Sequence, residues 1–226
     1  MTKGGLIQNI LEATTKGDCN SNKTPTTKEA LGSDDTGEPM EDAWNYRSIV
    51  GMLLYLATNT RPDIAYAVSQ VARFSHSPKQ SHATAVKTII RYLYGSRDKG
   101  SIFKPPSDLT LDCYVDADFA GLYGRDPDTE PTAAKSRTGY IISMVGCYIQ
   151  CKSQLQTTIA LSTSEAEYCA LSQVMRTLLP IREIILEFIE HVNLVDSKGK
   201  YIFKSPLHAR NFTTTITKIW MLMIGS

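Results

Sequence analysis

No apolar run in this 226-residue sequence comes near the roughly 20 residues that a membrane-spanning helix needs. The longest, Ile49 to Ala57, is interrupted by Gly51. Met1-Thr-Lys-Gly-Gly5 lacks the apolar stretch of a secretory signal, so the sequence reads as a soluble intracellular protein, cytoplasmic or nuclear, with no membrane partner. An excess of one charge is lacking too: 24 Lys and Arg face 23 Asp and Glu, a net +1, which excludes a histone-like tail or a uniformly basic coat. Cysteine is sparse and poorly spaced for metal. Of Cys19, Cys113, Cys147, Cys151 and Cys169, the pair Cys147 and Cys151 stands in a segment that alternates like a strand. Their side chains are expected to share a face without forming the two-residue knuckle of a zinc ribbon. An odd cysteine count with no secretion signal favours reduced thiols. No internal repeat is visible, and 42% hydrophobic with 21% charged residues is the composition of an ordinary globular chain.

The near-zero total conceals an uneven distribution. From Arg47 to Lys104, nine basic residues face only Asp63 and Asp98, a local excess of +7. Such a block is a candidate polyanion-binding surface, with Arg61, Lys87, Arg91, Arg97 and Lys99 its candidate phosphate contacts; the alternative is a set of long side chains that solubilise helices. The preceding stretch, Glu29 to Asp42, holds six carboxylates, no Lys or Arg, and several Gly, Ser, Thr and Pro. It reads as an acidic, solvated linker.

Periodicity divides the chain further. Leu6, Ile7, Ile10 and Leu11 line one face of a helix that ends near Lys16, before Gly17. A second helical pattern opens near Asp42 and stops around Thr58-Asn-Thr-Arg61. Pro62 suits the first position of a third helix, with Asp63 in its positive first turn, and a fourth runs from about Ser81 to Tyr94. Strands follow: Leu109 to Val115, Arg137 to Val145 and Cys147 to Ser153, the last two joined at Val145-Gly146. A long helix begins near Ser164, a fair N-cap, and Pro180 restarts or kinks it before His191. The order of helices, hairpin and helix gives a mixed α/β fold.

Two segments place carboxylates at element ends: Tyr114-Val-Asp116-Ala-Asp118-Phe-Ala-Gly121 closing the first strand, and Ser162-Thr-Ser-Glu165-Ala-Glu167-Tyr168 opening the long helix. Carboxylates that meet there repel unless divalent cations neutralise them, and a pair of Mg²⁺ ions is suited to phosphodiester hydrolysis. Equally, strand-end Asp residues cap turns and first-turn Glu residues satisfy the helix dipole.

These segments, with Lys135-Ser-Arg-Thr-Gly-Tyr140, Lys152-Ser-Gln-Leu-Gln156 and Ala160-Leu-Ser-Thr-Ser-Glu-Ala-Glu-Tyr168, resemble in order and spacing the RNase H domain of copia-type retrotransposon Pol polyproteins. Upstream, Tyr46-Arg-Ser-Ile-Val-Gly-Met-Leu-Leu-Tyr55, Thr60-Arg-Pro-Asp-Ile-Ala-Tyr66 and Arg91-Tyr-Leu-Tyr-Gly-Ser96 look like the segment joining polymerase to RNase H there. The resemblance covers roughly residues 5 to 190. It implies an RNase H-like mixed sheet with flanking helices, preceded by a small helical connection region. The corresponding divisions are an N-terminal helix and acidic linker over 1–43, the connection region over 44–104, an incomplete RNase H-like domain over 105–193, and an irregular tail over 194–226. It further implies Mg²⁺-dependent hydrolysis of RNA in RNA-DNA hybrids, a two-metal site, and the upstream polymerase part of Pol as partner. Asp116 and Glu167 match the family's catalytic, metal-binding carboxylates. Asp118 is expected to cap a turn or stand behind the site, and Tyr140, Ile141, Ile142 and Met144 to be strand and core residues.

The departures are as specific as the matches. The family's third metal-binding aspartate, in an Asp-Asn pair on a later strand, has no counterpart, and the late Asp196 reads as part of a polar turn. Phe212-Thr-Thr-Thr-Ile216 stands where the pair is expected. Threonine codons read in a shifted frame can spell Asp-Asn-Asn, which makes a frameshift upstream of Thr213 the expectation, and sequencing the locus decides it. No Tyr-x-Asp-Asp motif occurs, so this chain alone is expected not to synthesise DNA. Two readings stand: a hybrid-cleaving nuclease, or a catalytically dead remnant that keeps a nucleic-acid-binding or structural fold.

Overall fold

The computed structural model describes residues 3–15, 20–26, 30–102, 110–127 and 129–191. Helix α1 (Gly4–Thr15), α2 (Tyr46–Asn59), α3 (Ala65–Ala72) and α4 (Gln80–Gly95) precede strands β1 (Leu111–Asp118), β2 (Arg137–Met144) and β3 (Cys147–Leu155), and α5 (Thr163–His191) follows. The fold is mixed α/β, consistent with an RNase H-like architecture. Its described sheet is antiparallel, in the order β1-β2-β3. No described helix is long and apolar enough to cross a membrane. The tail from residue 192 onward, with the third-carboxylate and frameshift expectations, lies outside the described residues.

The helical half is built on amphipathic stripes. Helix α2 starts at Tyr46, a few residues after Asp42, and Asn45 caps it: its Oδ1 accepts from the Ser48 N–H at 2.9 Å, satisfying one of the amides a helix start leaves unpaired. Pro62 then opens a 3₁₀ turn, Pro62–Ile64, that leads into α3. Leu53, Leu56, Ile64, Val68, Val86 and Ile90 are fully buried together, and the Tyr46 hydroxyl donates to the Val71 carbonyl at 2.8 Å.

The acidic stretch is not a solvated linker over its described residues. It lies across the start of α4, where Gln80 N–H donates to the Glu38 carbonyl at 3.0 Å and Lys79 Nζ to the Gly37 carbonyl at 3.0 Å. His82 Nδ1 accepts from Lys79 N–H at 3.0 Å, which assigns its proton to Nε2, 3.0 Å from the Gly32 carbonyl. A strap of acidic residues suits a helix N-terminus, which carries positive partial charge and unpaired N–H groups.

Strand alternation gives the sheet two differently covered faces. Leu111, Cys113, Val115, Tyr140 and Ile142 pack under Ala170, Val174 and Leu178 of α5. Ile141 and Cys151 belong instead to the helical cluster, and α2 and α3 rest on β3. Met144 packs on the α5 side, so the strand and core assignments for residues 140, 141, 142 and 144 hold. A bulge corrects the expectation for the cysteines. Tyr148 pairs with Ser143 but Gln150 with Ile142, so Ile149 is an extra residue that reverses the alternation. Cys147 stands opposite Met144 and Cys151 opposite Ile141, on opposite faces. The described thiols are all free.

Ser162 rather than Ser164 caps α5: its Oγ accepts from Glu165 N–H at 3.1 Å, while the Glu165 carboxylate accepts from Leu161 N–H at 2.7 Å. Pro180 does not restart the helix, which runs unbroken through it. Beyond it, Ile181 and Ile185 continue the stripe of Val174 and Leu178 against the sheet, and that burial outweighs the roughly 3 kcal/mol an interior proline costs.

Candidate active site

The C-terminal end of β1 carries both aspartates. Asp116 pairs in register with Gly139, and Asp118 with Arg137. Being two apart, they share the face turned toward α3, with Arg137 beside them. Asp116 is 6% exposed, and a Cβ built on Gly139 would meet nothing within 4 Å, so the strand opposite Asp116 leaves open space. The Asp118 carboxylate folds onto Gly121, where a Cβ would have to push it aside. Burial pushes the Asp118 carboxyl up, the Asp116 charge adds to the rise, and Arg137 opposes both.

Arg137 is 5% exposed. Its Nη1 donates to Ser69 Oγ of α3 at 2.9 Å, its guanidinium lies 5.7 Å from the Tyr66 ring centroid, and its Nη2 is buried with no hydrogen-bond partner among the described residues. Burial lowers its pKa to about 10. Nearby, Arg73 pairs with buried Asp126 and donates to the Leu31 carbonyl at 3.0 Å.

Glu167 comes from the other face. Gln156 Nε2 donates to the Ala166 carbonyl at 2.8 Å and to Thr138 Oγ1 at 3.1 Å, and Thr138 pairs with Ala117. The helix turn bearing Glu167 therefore sits level with the Asp116–Asp118 segment, across β1, the edge strand of the described sheet. Glu165 serves the helix cap instead. No group of three His, Cys, Asp or Glu among the described residues is disposed to hold a metal ion. The cation facing Asp118 is a guanidinium, and as they stand these residues do not fit a two-metal centre.

The candidate phosphate contacts separate into two kinds. Arg61 is 2% exposed. Its Nη1 donates to the Ser96 carbonyl at 2.8 Å, its Nη2 to Ser96 Oγ at 2.7 Å and to Asp63 at 2.8 Å, and Tyr92 lies beneath it. It is a core residue and presents no charge to a ligand. Lys87 is tied to Asp42 at 2.6 Å. Arg91, Arg97 and Lys99 are exposed at and beyond the end of α4, Arg97 against the Tyr94 ring at 4.8 Å and Lys99 at 5.9 Å from that of Tyr92. A groove also runs beside the start of α5, lined by Gln156, Thr157, Ser164, Tyr168 and Arg176 among others. Sequence reasoning passed over Arg137 and Ser69. The Asp two residues after Arg61 was the available sign that this arginine is internally paired.

Comparison with known proteins places these features in context. The chain is 41% identical over 182 residues to the "Retrovirus-related Pol polyprotein from transposon TNT 1-94" of Nicotiana tabacum, covering 78% of this chain and 13% of that protein. It is 40% identical over 144 residues to the "Retrovirus-related Pol polyprotein from transposon RE1" of Arabidopsis thaliana, 64% of this chain and 9% of that protein. It thus spans about a tenth of the length of these relatives. It is also 38% identical over 128 residues to the "Secreted RxLR effector protein 161" of Plasmopara viticola, covering 57% of this chain and 84% of that protein. No family model and no solved structure matches it.

Proposed function

Because the chain belongs to the retrovirus-related Pol polyproteins of copia-type transposons, we propose that it is the part of such a polyprotein that joins polymerase to RNase H and contributes to hydrolysis of RNA in RNA-DNA hybrids. The observation that carries this reading is the placement of Asp116 at the end of β1 and of the helix turn bearing Glu167 at one level of the sheet, within motifs that keep the family's order. Arg91, Arg97 and Lys99, exposed on one stretch of chain, supply the phosphate-facing charge that holding a hybrid requires.

A second reading, a chain that holds nucleic acid without cutting it, draws on the absence of a three-ligand group among the described residues and on the guanidinium beside Asp118. Hydrolysis of a labelled hybrid in Mg²⁺ or Mn²⁺, comparing the chain with Asp116→Asn, separates the two. Cleavage that the substitution abolishes supports the nuclease; equal residual activity in both proteins overturns it and leaves the binding reading.

A further inference from the structure

Two carboxylates on one face of a strand, one of them almost wholly buried, call for compensating positive charge. The described residues supply it from within the fold. Arg137 stands directly across from Asp118, where cross-strand Cβ atoms approach to about 5 Å. The guanidinium is not free to swing away. Ser69 holds one edge at 2.9 Å, Tyr66 lies along its face, and Ser69 is itself 3.4 Å from Ser153 Oγ of β3. Its other edge, Nη2, is buried and without a hydrogen-bond partner among the described residues, which is costly for an ionised donor. A group kept buried and half satisfied across from Asp118, on the face that also carries Asp116, is placed for electrostatics more than for its hydrogen bonds.

We propose that Arg137 is the resident cation of the Asp116–Asp118 face, held there by Ser69 and Tyr66 of α3, so that a divalent cation binds these carboxylates only by overcoming the guanidinium. Helix α3 would then set the metal affinity of the strand end it covers. The inference rests on Asp116 being a metal-facing carboxylate, but not on hybrid cleavage.

The test is Mn²⁺ affinity of the full chain, read from the loss of the free-ion paramagnetic resonance signal, for the unsubstituted protein, Arg137→Gln and Arg137→Lys. A fixed positive charge a few ångströms from a bound cation opposes its binding by at least about 10-fold at the dielectric constants effective in proteins, so Arg137→Gln should bind Mn²⁺ about 10-fold more tightly or better, and Arg137→Lys should stay near the unsubstituted value. Adding Asp118→Asn to Arg137→Gln should cancel the gain. Unchanged or weaker Mn²⁺ binding by folded Arg137→Gln overturns the proposal. Should circular dichroism show that variant unfolded, Ser69→Ala frees the guanidinium by removing a single hydrogen bond. Tighter Mn²⁺ binding than the unsubstituted chain is expected there, and none overturns the idea. A gain in Mn²⁺ affinity without hybrid cleavage would sink the nuclease reading and leave this one standing; cleavage without the gain would do the reverse.

Discussion

The Lys87 ammonium donates to the Asp42 carboxylate at 2.6 Å, joining the acidic stretch to the basic helical block that follows it. The pair is partly exposed, so it contributes no more than about 1 kcal/mol to stability. Its larger consequence is for binding, because the strap occupies a charge that the sequence offers to a polyanion. Asp42→Asn should leave the melting temperature nearly unchanged and strengthen binding to an RNA-DNA hybrid at low salt, with a salt dependence steeper by about one counterion. Fluorescence anisotropy across a salt series measures both; an unaltered slope would show that Lys87 does not face the ligand.

Arg61 and the Arg97–Lys99 pair should respond in opposite ways to the same two measurements. Arg61→Gln leaves Asp63 and the Ser96 carbonyl without their shared partner. Breaking a buried ion pair costs about 3–5 kcal/mol, reduced here to about 2–3 kcal/mol because the Asp63 side chain is 33% exposed. Hybrid affinity of the folded fraction should be unaffected. Replacing Arg97 and Lys99 by Gln should instead preserve stability and weaken binding, most visibly at low salt. Chemical denaturation paired with anisotropy distinguishes a core arginine from surface ones.

His82 gives the strap a pH limit. It is fully buried, its ring stacks on Phe74 at 3.8 Å between centroids, and burial lowers its pKa below the ordinary value despite the Gly32 carbonyl and Asp34, which favour the proton. Because the folded pKa lies below the unfolded one, the unfolded chain binds more protons in the interval between them. This contribution to stability is thus present above about pH 6.5 and lost as pH falls through the folded value. Thermal melts from pH 7.5 down to 5 should show a destabilisation that His82→Gln reduces. Identical pH profiles in both proteins would remove His82 from that role.

What could be read in advance follows the range of the interactions. The apolar stripes of α1 to α4, the Pro62 start and the Val145-Gly146 turn are local, and their positions lie within a few residues of those expected. Asp116 and Glu167 stand out in the sequence because the motifs that carry them are contiguous. The neighbours that decide what those carboxylates can do were not legible. Arg137 meets Ser69 across 68 residues and Arg61 meets Ser96 across 35, contacts no periodicity encodes. The same limit explains the cysteines, since the bulge at Ile149 that turns Cys147 and Cys151 apart is fixed by pairing with β2 and not by β3 alone. Even the strap was legible in composition but not in position, because its partners lie on α4.

The turn between β2 and β3 offers a stability test independent of the site. Val145 has φ 54° and Gly146 φ 71°, the two positive values of a type I′ hairpin, whose twist matches the strands it joins. Glycine adopts such a value freely, whereas a β-branched residue there is strained. The backbone is anchored nonetheless, since Val145 N–H donates to the Thr110 carbonyl at 2.9 Å, so a substitution at this position should keep the turn. Val145→Asn relieves part of the roughly 1–2 kcal/mol that a left-handed conformation costs and gives up some half-buried apolar surface. A net gain of about 0.5–1 kcal/mol follows, or a melting temperature higher by about 1–4 °C. Gly146→Ala places a Cβ at positive φ and should destabilise by about 1 kcal/mol, although open space surrounds that position. Calorimetry on the two variants reads the sign directly. A lower melting temperature for Val145→Asn would mean that the apolar contacts of Val145 outweigh its backbone strain, and the hairpin would then owe its register to packing more than to its turn.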